Sequence, residues 1–311
     1  MPQSRAPKQR TPVVINSTSE RILKAVHELG VVTHREITEL FFKPGARNHA
    51  GAILKTLCGG KDFAVGHPLY RMPLPIALQG SRERVYCLGS EAREVLALED
   101  DYQPAKLRYL AYSPLLHDVC LSRLIVASTN YLHAHPEYHL LERRLCYSIA
   151  RNPPTIPQVI DGKETKVAVI PDAFLRIELL TDGDENGDEY GLWIEIDKGT
   201  ENYKKYRQLV RNRIELAKSK LIEKYFNIPS VLFCYIVTDN AGHTPEMLKT
   251  RLHTIRRWTE EVLPKEYREA WASMFRFTTI SFESIYAATP SLFEEAKWEQ
   301  PDETEPVPLF D

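Results

Sequence analysis

The sequence predicts an α+β chain in two parts: a small helical module carrying a β-ribbon, then a larger α/β domain on a central mixed sheet. Three observations predict it. The chain has 311 residues, more than one average domain holds. Three short amphipathic helical patterns, then two strand-like runs, fill residues 17–88. Beyond residue 116, helical patterns and apolar strand runs follow one another in mixed order.

Composition narrows the class. A hydrophobic fraction of 43% with 26% charged residues is that of a folded globular chain, which argues against disorder. No apolar run approaches the ~18–20 residues of a membrane span, so no membrane partner is expected. The five cysteines (Cys58, Cys87, Cys120, Cys146 and Cys234) are scattered, with no CxxC pair. That pattern argues against a disulfide framework and a zinc site and implies a cytoplasmic location. The net charge of −2 hides an asymmetry: residues 1–89 hold 13 Lys and Arg against 6 Asp and Glu, leaving −9 on the rest. A basic module on an acidic remainder suits contact with DNA at one end.

The first elements follow from their caps. Ser17-Thr18-Ser19-Glu20 fits a capping box, and Ile22, Leu23, Val26 and Leu29 form the buried stripe of a helix closed by Gly30. Val31-Val32 is a short extended link. Thr33 to Glu36 is a second capping box, opening a helix with Ile37, Leu40 and Phe41 inward. Lys43-Pro44-Gly45 turns the chain into a third helix with Ala50, Ile53, Leu54 and Leu57 on one face, closed by Gly59-Gly60. Three short helices with a tight turn before the third make a helix-turn-helix. The runs Pro68–Met72 and Arg84–Leu88 add a β-ribbon, the wing, so the module is a winged helix-turn-helix. A further helix, Glu91–Leu98, is capped by Ser90.

The third helix sets the DNA-reading face. Opposite its core residues, at about 100° per residue, lie Asn48, Gly51, Ala52 and Lys55, with Arg47 at the edge. Small residues mid-face let a helix sit deep in a major groove. Asn48 suits adenine, while Arg47 and Lys55 suit guanine or phosphate. Arg82 and Arg84 on the wing suit phosphates or the minor groove.

Residues 1–16 then read as a flexible basic arm, 17–99 as the winged helix, 100–115 as a linker, 116–290 as the α/β domain and 291–311 as a loose acidic tail. Within 116–290 the expected order begins with helices to about His133 and over Glu137–Ala150. Strands follow over Lys166–Ile170 into Ala173–Leu179, and over Gly191–Asp197. The acidic turn Asp182–Glu189 joins the last two. A long helix from Thr200 to Phe226, a buried strand Ser230–Thr238, a helix from Thr244 to Val262 and a strand Phe275–Phe282 complete it. The long helix carries Lys204, Lys205, Arg207, Arg211, Arg213, Lys218, Lys220 and Lys224. Its outer face is a second candidate phosphate-tracking surface, with Lys205 and Arg211 as DNA contacts. A solvated helix face is the equal alternative.

Carboxylates supply the candidate chemistry. Pro171-Asp172 sits at a strand boundary. In Trp193-Ile194-Glu195-Ile196-Asp197-Lys198, residues Glu195 and Asp197 share one face of a strand, with Leu192, Ile194 and Ile196 on the other. The 22 residues between Asp172 and Glu195 suffice for a hairpin that sets the strands side by side. Three carboxylates gathered there can hold Mg²⁺ and orient water for phosphodiester cleavage, with Glu142 as a fourth ligand on the preceding helix.

Pro-Asp, a hairpin, then Glu with a nearby lysine, followed by a helix and a strand, resembles the PD-(D/E)XK nuclease superfamily. The resemblance implies that Asp172 and Glu195 bind metal and that a lysine two residues after the Glu assists the attacking water. Asp197 occupies that lysine position, and Lys198 is one residue late. Lys204 or Lys205 on the next helix, or a bulge turning Lys198 inward, are the substitutes such folds allow. The whole layout, a winged helix, then PDAFL, WIEIDKGTE and a long basic helix over roughly residues 15–260, resembles the replication-relaxation family of plasmid and mobile-element proteins. That resemblance implies an accessory role on DNA in replication and relaxation, with duplex DNA and replication or conjugative-transfer proteins as partners. A homodimer stays open.

The expectation is a DNA-binding accessory protein whose nuclease-like domain is degenerate and needs no cofactor. The alternatives are a Mg²⁺-dependent nicking endonuclease using Asp172, Glu195, Asp197 and Lys204, and a transcriptional regulator whose second domain mediates assembly. The histidines His133, His135 and His139 lack partners at metal-site spacing, and Asp182–Glu189 lacks a calcium-loop pattern.

Overall fold

The structure is a computed structural model and describes residues 13–74, 83–98, 112–160, 162–180, 187–238, 244–287, 292–293, 298–301 and 305–310. The chain divides into two compact units, Met1–Leu115 and Leu116–Asp311. The overall class is the mixed α+β one that the sequence predicts, with N-terminal helices ahead of a five-stranded mixed sheet. Most of the arm and linker, and residues 182–186 of the Asp182–Glu189 turn, lie outside the described residues. No helix among the described residues is long and apolar enough to cross a membrane.

In the N-terminal unit the order is α1 (Ser17–Leu29), β1 (Val32–Thr33), α2 (His34–Phe41), α3 (Arg47–Leu57), β2 (Leu69–Pro73), β3 (Arg84–Leu88) and the short α4 (Ala92–Val95). The cap of α1 is Asn16, one residue before the expected Ser17: its backbone is extended and its Oδ1 accepts from Ser19 N at 2.8 Å. The second capping box forms as expected between Thr33 and Glu36. The link at Val32 is more than a link. β1 pairs antiparallel with β3, giving a three-stranded sheet in the order β1-β3-β2. Ile22, Leu23, Val26, Ile37, Ala50, Leu54, Leu69 and Val85 are fully buried between the helices and this sheet. Gly59 ends α3 at φ +66°, where a β-carbon would overlap the His67 ring.

The C-terminal unit begins within the long helix α5 (Tyr112–Ala134) and holds all but its first few residues. Its elements are β4 (Tyr138–Leu145), α6 (Cys146–Ile149), β5 (Thr155–Ile160), β6 (Lys163–Ala168), β7 (Ala173–Leu179), β8 (Asp188–Asp197), α7 (Tyr203–Lys218) and α8 (Leu221–Phe226). After these come β9 (Leu232–Val237), α9 (Pro245–Glu260), α10 (Arg268–Ala272), β10 (Phe275–Thr279) and α11 (Phe282–Ala287). The sheet order is β10-β9-β8-β7-β4, with β8, β9 and β10 parallel and β7 antiparallel to both neighbours. A parallel β8–β9 pair needs a crossover, which α7 and α8 supply. Register puts Arg144, Phe174, Trp193, Phe233 and Phe275 in one row across the sheet. Tyr206, Val210, Ile214, Leu252 and Ile255 from α7 and α9 belong to the same buried core. The opposite strand face, with Leu175, Ile177, Leu192, Ile194 and Ile236, is buried as well.

Four expectations change. The helix read over Glu137–Ala150 is mostly β4, an edge strand paired with β7, and only Cys146–Ile149 is helical. Backbone pairing with a strand 28 to 41 residues away outweighs the local helical preference of a Leu- and Arg-rich run. Lys166–Ile170 does not run into β7. Most of it belongs to a separate ribbon with β5, in which Pro157 pairs with Lys166. The helix read to Phe226 breaks at Ser219–Lys220, where Lys220 takes φ +57°. The tail read as loose is docked. Trp298 is buried, Glu299 bridges antiparallel to Phe277 on the edge strand β10, and Arg256 bonds Glu299 and the Gln300 carbonyl. One buried indole outweighs the acidic, Pro-rich composition around it.

The docked tail predicts that Trp298→Ala destabilises the C-terminal unit by about 3–5 kcal/mol. Urea denaturation followed through the unit's secondary structure checks it, and an unchanged midpoint would show that the segment contributes nothing.

Candidate nucleic-acid interface and carboxylate cluster

The exposed face of α3 begins at its first residue. Arg47, Asn48 and His49 are exposed, as are Ala52, Lys55 and Thr56, while Ala50, Leu54 and Leu57 are buried. The helix has no acidic side chain in its first turn. Gly51 differs from expectation. The His34 ring of α2 lies 3.3 Å from where its β-carbon would be, and His34 Nε2 pairs with the Arg47 carbonyl at 3.0 Å. Gly51 therefore serves the α2–α3 packing rather than the open face. Burial lowers the pKa of His34. His49, missed in the sequence, stands edge-on to Phe42 at 5.6 Å. On β3, Arg84 is exposed and bonds Asp62 at 3.3 Å, and Arg71 meets the same carboxylate oxygen at 2.6 Å. Arg82 lies outside the described residues.

The carboxylates of the C-terminal unit each meet a cation of the chain itself. Asp172 precedes β7. Its Oδ2 accepts from Ile196 N at 2.8 Å, which ties β7 to β8, and sits 3.1 Å from His117 Nε2 on α5. His117 Nδ1 in turn lies 3.2 Å from Asp118. Glu195 Oε1 accepts from the Trp193 indole at 2.7 Å and from the Arg213 guanidinium of α7. Asp197 is gripped by Arg251 of α9 through Nε at 2.6 Å and Nη2 at 3.2 Å, and it accepts from Gly199 N at 2.9 Å. Glu142 lies on β4, not on a helix, and pairs with Arg144 at 2.5 Å. Lys204 is exposed on the first turn of α7, Lys205 pairs with Glu201 at 2.7 Å, Arg211 is exposed and Lys198 is buried.

Electrostatics follow from burial. Burial pushes the Glu195 carboxyl up to about 7, outweighing the attraction of Arg213, and the nearby Asp172 charge adds to the rise. His117 is the reverse case. Burial opposes its charge, but its bonds to Asp118 and Asp172 prevail and raise it to about 10. Arg213 loses hydration on burial and is held cationic by Glu195.

This arrangement does not fit Mg²⁺. Among the described residues, no group of three or more His, Cys, Asp and Glu side chains is gathered so as to hold a metal ion. Asp172, Glu195, Asp197 and Glu142 instead face His117, Arg213, Arg251 and Arg144, one cation each. An incoming divalent ion would have to displace these partners. Lys204, the candidate catalytic lysine, points into solvent rather than pairing with any of these carboxylates. His117, Arg251 and the pairing role of Arg213 went unread in the sequence. The one available signal was the His117-Asp118 dipeptide inside an otherwise apolar helix.

A family model described as replication-relaxation matches residues 23–231. The chain belongs to the replication-relaxation family. No curated protein and no solved structure matches it. In this replication-relaxation protein the match spans α1 to the approach of β9, so it takes in α3, Asp172, Glu195, Asp197 and Arg213. Arg251 and the docked tail lie beyond it.

His117 predicts a pH dependence. Its value of about 10 exceeds the ordinary 6.5, so its stabilisation is complete below about pH 6.5 and is lost as pH rises through 10. Denaturation of wild type and His117→Gln across that window checks this. The gap between them should be widest at the acid end and close at the alkaline end; a constant gap would contradict it.

Proposed function

We propose that this replication-relaxation protein docks on duplex DNA through its N-terminal unit, a winged helix-turn-helix, as an accessory factor in plasmid or mobile-element replication. The observation that carries the reading is the solvent face of α3. It combines Arg47, Asn48 and Lys55 with the small Ala52, and all four are exposed while the opposite face is buried. A helix of that composition can enter a major groove, with Ala52 permitting close approach, Asn48 facing base edges and Arg47 and Lys55 facing guanine or phosphate. Arg84 flanks it on β3. The net charge of +7 over residues 1–89 supplies the non-specific attraction.

The C-terminal unit is nuclease-like in layout, and its pairing of carboxylates with the chain's own cations supports a role without cutting. Its exposed α7 residues Lys204, Lys205 and Arg211 offer a second line of phosphate contacts. Replication or conjugative-transfer proteins are the partners that such an accessory factor would serve.

The test uses the full chain and a labelled mixed-sequence duplex. Arg47→Ala and Lys55→Ala each weaken binding, and each lost phosphate contact lowers the salt slope of log K by about 1. Salt-insensitive binding, or none, would overturn the docking reading. Supercoiled plasmid incubated with the protein and Mg²⁺ or Mn²⁺ should remain supercoiled. Nicking that disappears in Asp172→Ala and Glu195→Ala would restore the endonuclease reading.

A further inference from the structure

Between α3 and β2 the chain does something costly at one residue. Phe63 holds φ +58°, a left-handed conformation that a bulky side chain rarely adopts. The same loop places glycine at its other early positive-φ positions, Gly59 and Gly60. Phe63 also exposes 53% of its surface, and Val65 exposes 58%. A strained backbone that presents an apolar ring to water gains nothing for folding, so the pairing of the two costs points to use.

The conformation is enforced from several sides. Phe63 N donates to the Arg71 carbonyl at 2.8 Å, and Arg71 Nη2 donates to the Gly60 carbonyl at 2.9 Å. Between these, Asp62 meets the Nε atoms of Arg71 and Arg84 at 2.6 and 3.3 Å. The Phe63 ring stands at 64° to Tyr70 with centroids 6.1 Å apart, which braces it from β2. Around this tip the charges are cationic. The Lys55 side chain passes within 3.5 Å of the β-carbon position of Gly60, Lys61 is exposed, and Arg84 is about half exposed. The acid in this loop, Asp62, is shared by two arginines. An apolar ring rimmed by cations complements a surface with anions at its rim and aromatic stacks within, which is a nucleic-acid groove.

We propose that Phe63 is an apolar wedge that the N-terminal unit presses between stacked base pairs of the duplex, bending it, while Lys55 and Arg84 hold flanking phosphates. This rests on the docking reading above and adds to it a deformation of the DNA and the residue that causes it. Partial unstacking is repaid by the additional surface that a bent duplex brings into contact.

Phe63→Gly tests it, because glycine accepts φ +58° and removes the whole benzyl side chain. The full-length protein is mixed with duplexes carrying a donor–acceptor dye pair at their ends and 2-aminopurine at internal steps. Wild type should shorten the end-to-end distance and raise 2-aminopurine fluorescence. Phe63→Gly should keep its thermal midpoint, lose both signals, and weaken binding by no more than about tenfold. Three outcomes overturn the wedge: bending retained in Phe63→Gly, a fall in its thermal midpoint that marks the ring as structural, or a change in its oligomeric mass with bending intact. Duplex binding by wild type without bending removes the wedge and leaves docking in place. No duplex binding by wild type removes both.

Discussion

The Arg213 guanidinium reaches from α7 into the sheet and bonds Glu195 on the central strand β8, and the C-terminal unit is arranged around that pair. Both side chains are largely withdrawn from water, so each carries a desolvation cost that only the other and their shared neighbours can offset. The Trp193 indole donates to the same Glu195 oxygen, and the Tyr235 ring lies 5.5 Å from the guanidinium carbon. Removing one partner would strand the other charge in a setting where it has no solvent to fall back on. That penalty fixes the register of α7 against β8 and β9 more sharply than apolar packing alone, which tolerates repacking. Arg251 repeats the device two helices later: it grips Asp197 and also donates to the Glu201 carbonyl at 3.0 Å, joining α9 to the β8–α7 connection.

Several features are legible in the amino-acid sequence because they are local. The Thr33–Glu36 box, the stripe Ile22, Leu23, Val26, Leu29 and the boundaries of β3 depend on residues a few positions apart. Alternation along β8 also holds, since Glu195 meets Arg213 of α7 and Asp197 meets Arg251 of α9, two helices that share one core on the same side of the sheet. What alternation cannot reveal is the partner across that face. Arg213 lies 18 residues from Glu195, Arg251 lies 54 from Asp197, and His117 lies 55 from Asp172. Only tertiary packing brings them together. Taken singly, Arg213 is one more cation in a basic helix. The strand β4 is illegible for the same reason, because its extended character comes from pairing with β7.

The two units use the same residue types in opposite ways. On α3 the cations point outward with no internal acid to neutralise them within the helix. In the C-terminal unit His117, Arg213 and Arg251 turn inward onto carboxylates. A cation turned inward and largely buried against a carboxylate, unlike an exposed one in a surface pair, has little charge left to release counterions from DNA. Whatever attraction this unit has for phosphate must therefore come from its exposed lysines and Arg211, and the acidic balance of residues 90–311 opposes it. The unpaired outward charge is therefore concentrated on α3 of the smaller unit.

Side-chain cations differ from a metal ion in what they let carboxylates do. A divalent ion supplies charge together with an exchangeable coordination position, and it makes bound water acidic enough to attack. A guanidinium supplies the charge alone. It has no position for water to occupy, and its proton is not given up within a protein. Besides Glu195, whose carboxyl burial pushes up to about 7, the cluster's other shifted group is His117. With a carboxylate on each ring nitrogen it is held as the imidazolium up to about pH 10, so near neutrality it has no free nitrogen to act as a base. The carboxylates thus act here as anchors that bind helices to the sheet, Glu195 through Arg213 of α7 and Asp197 through Arg251 of α9.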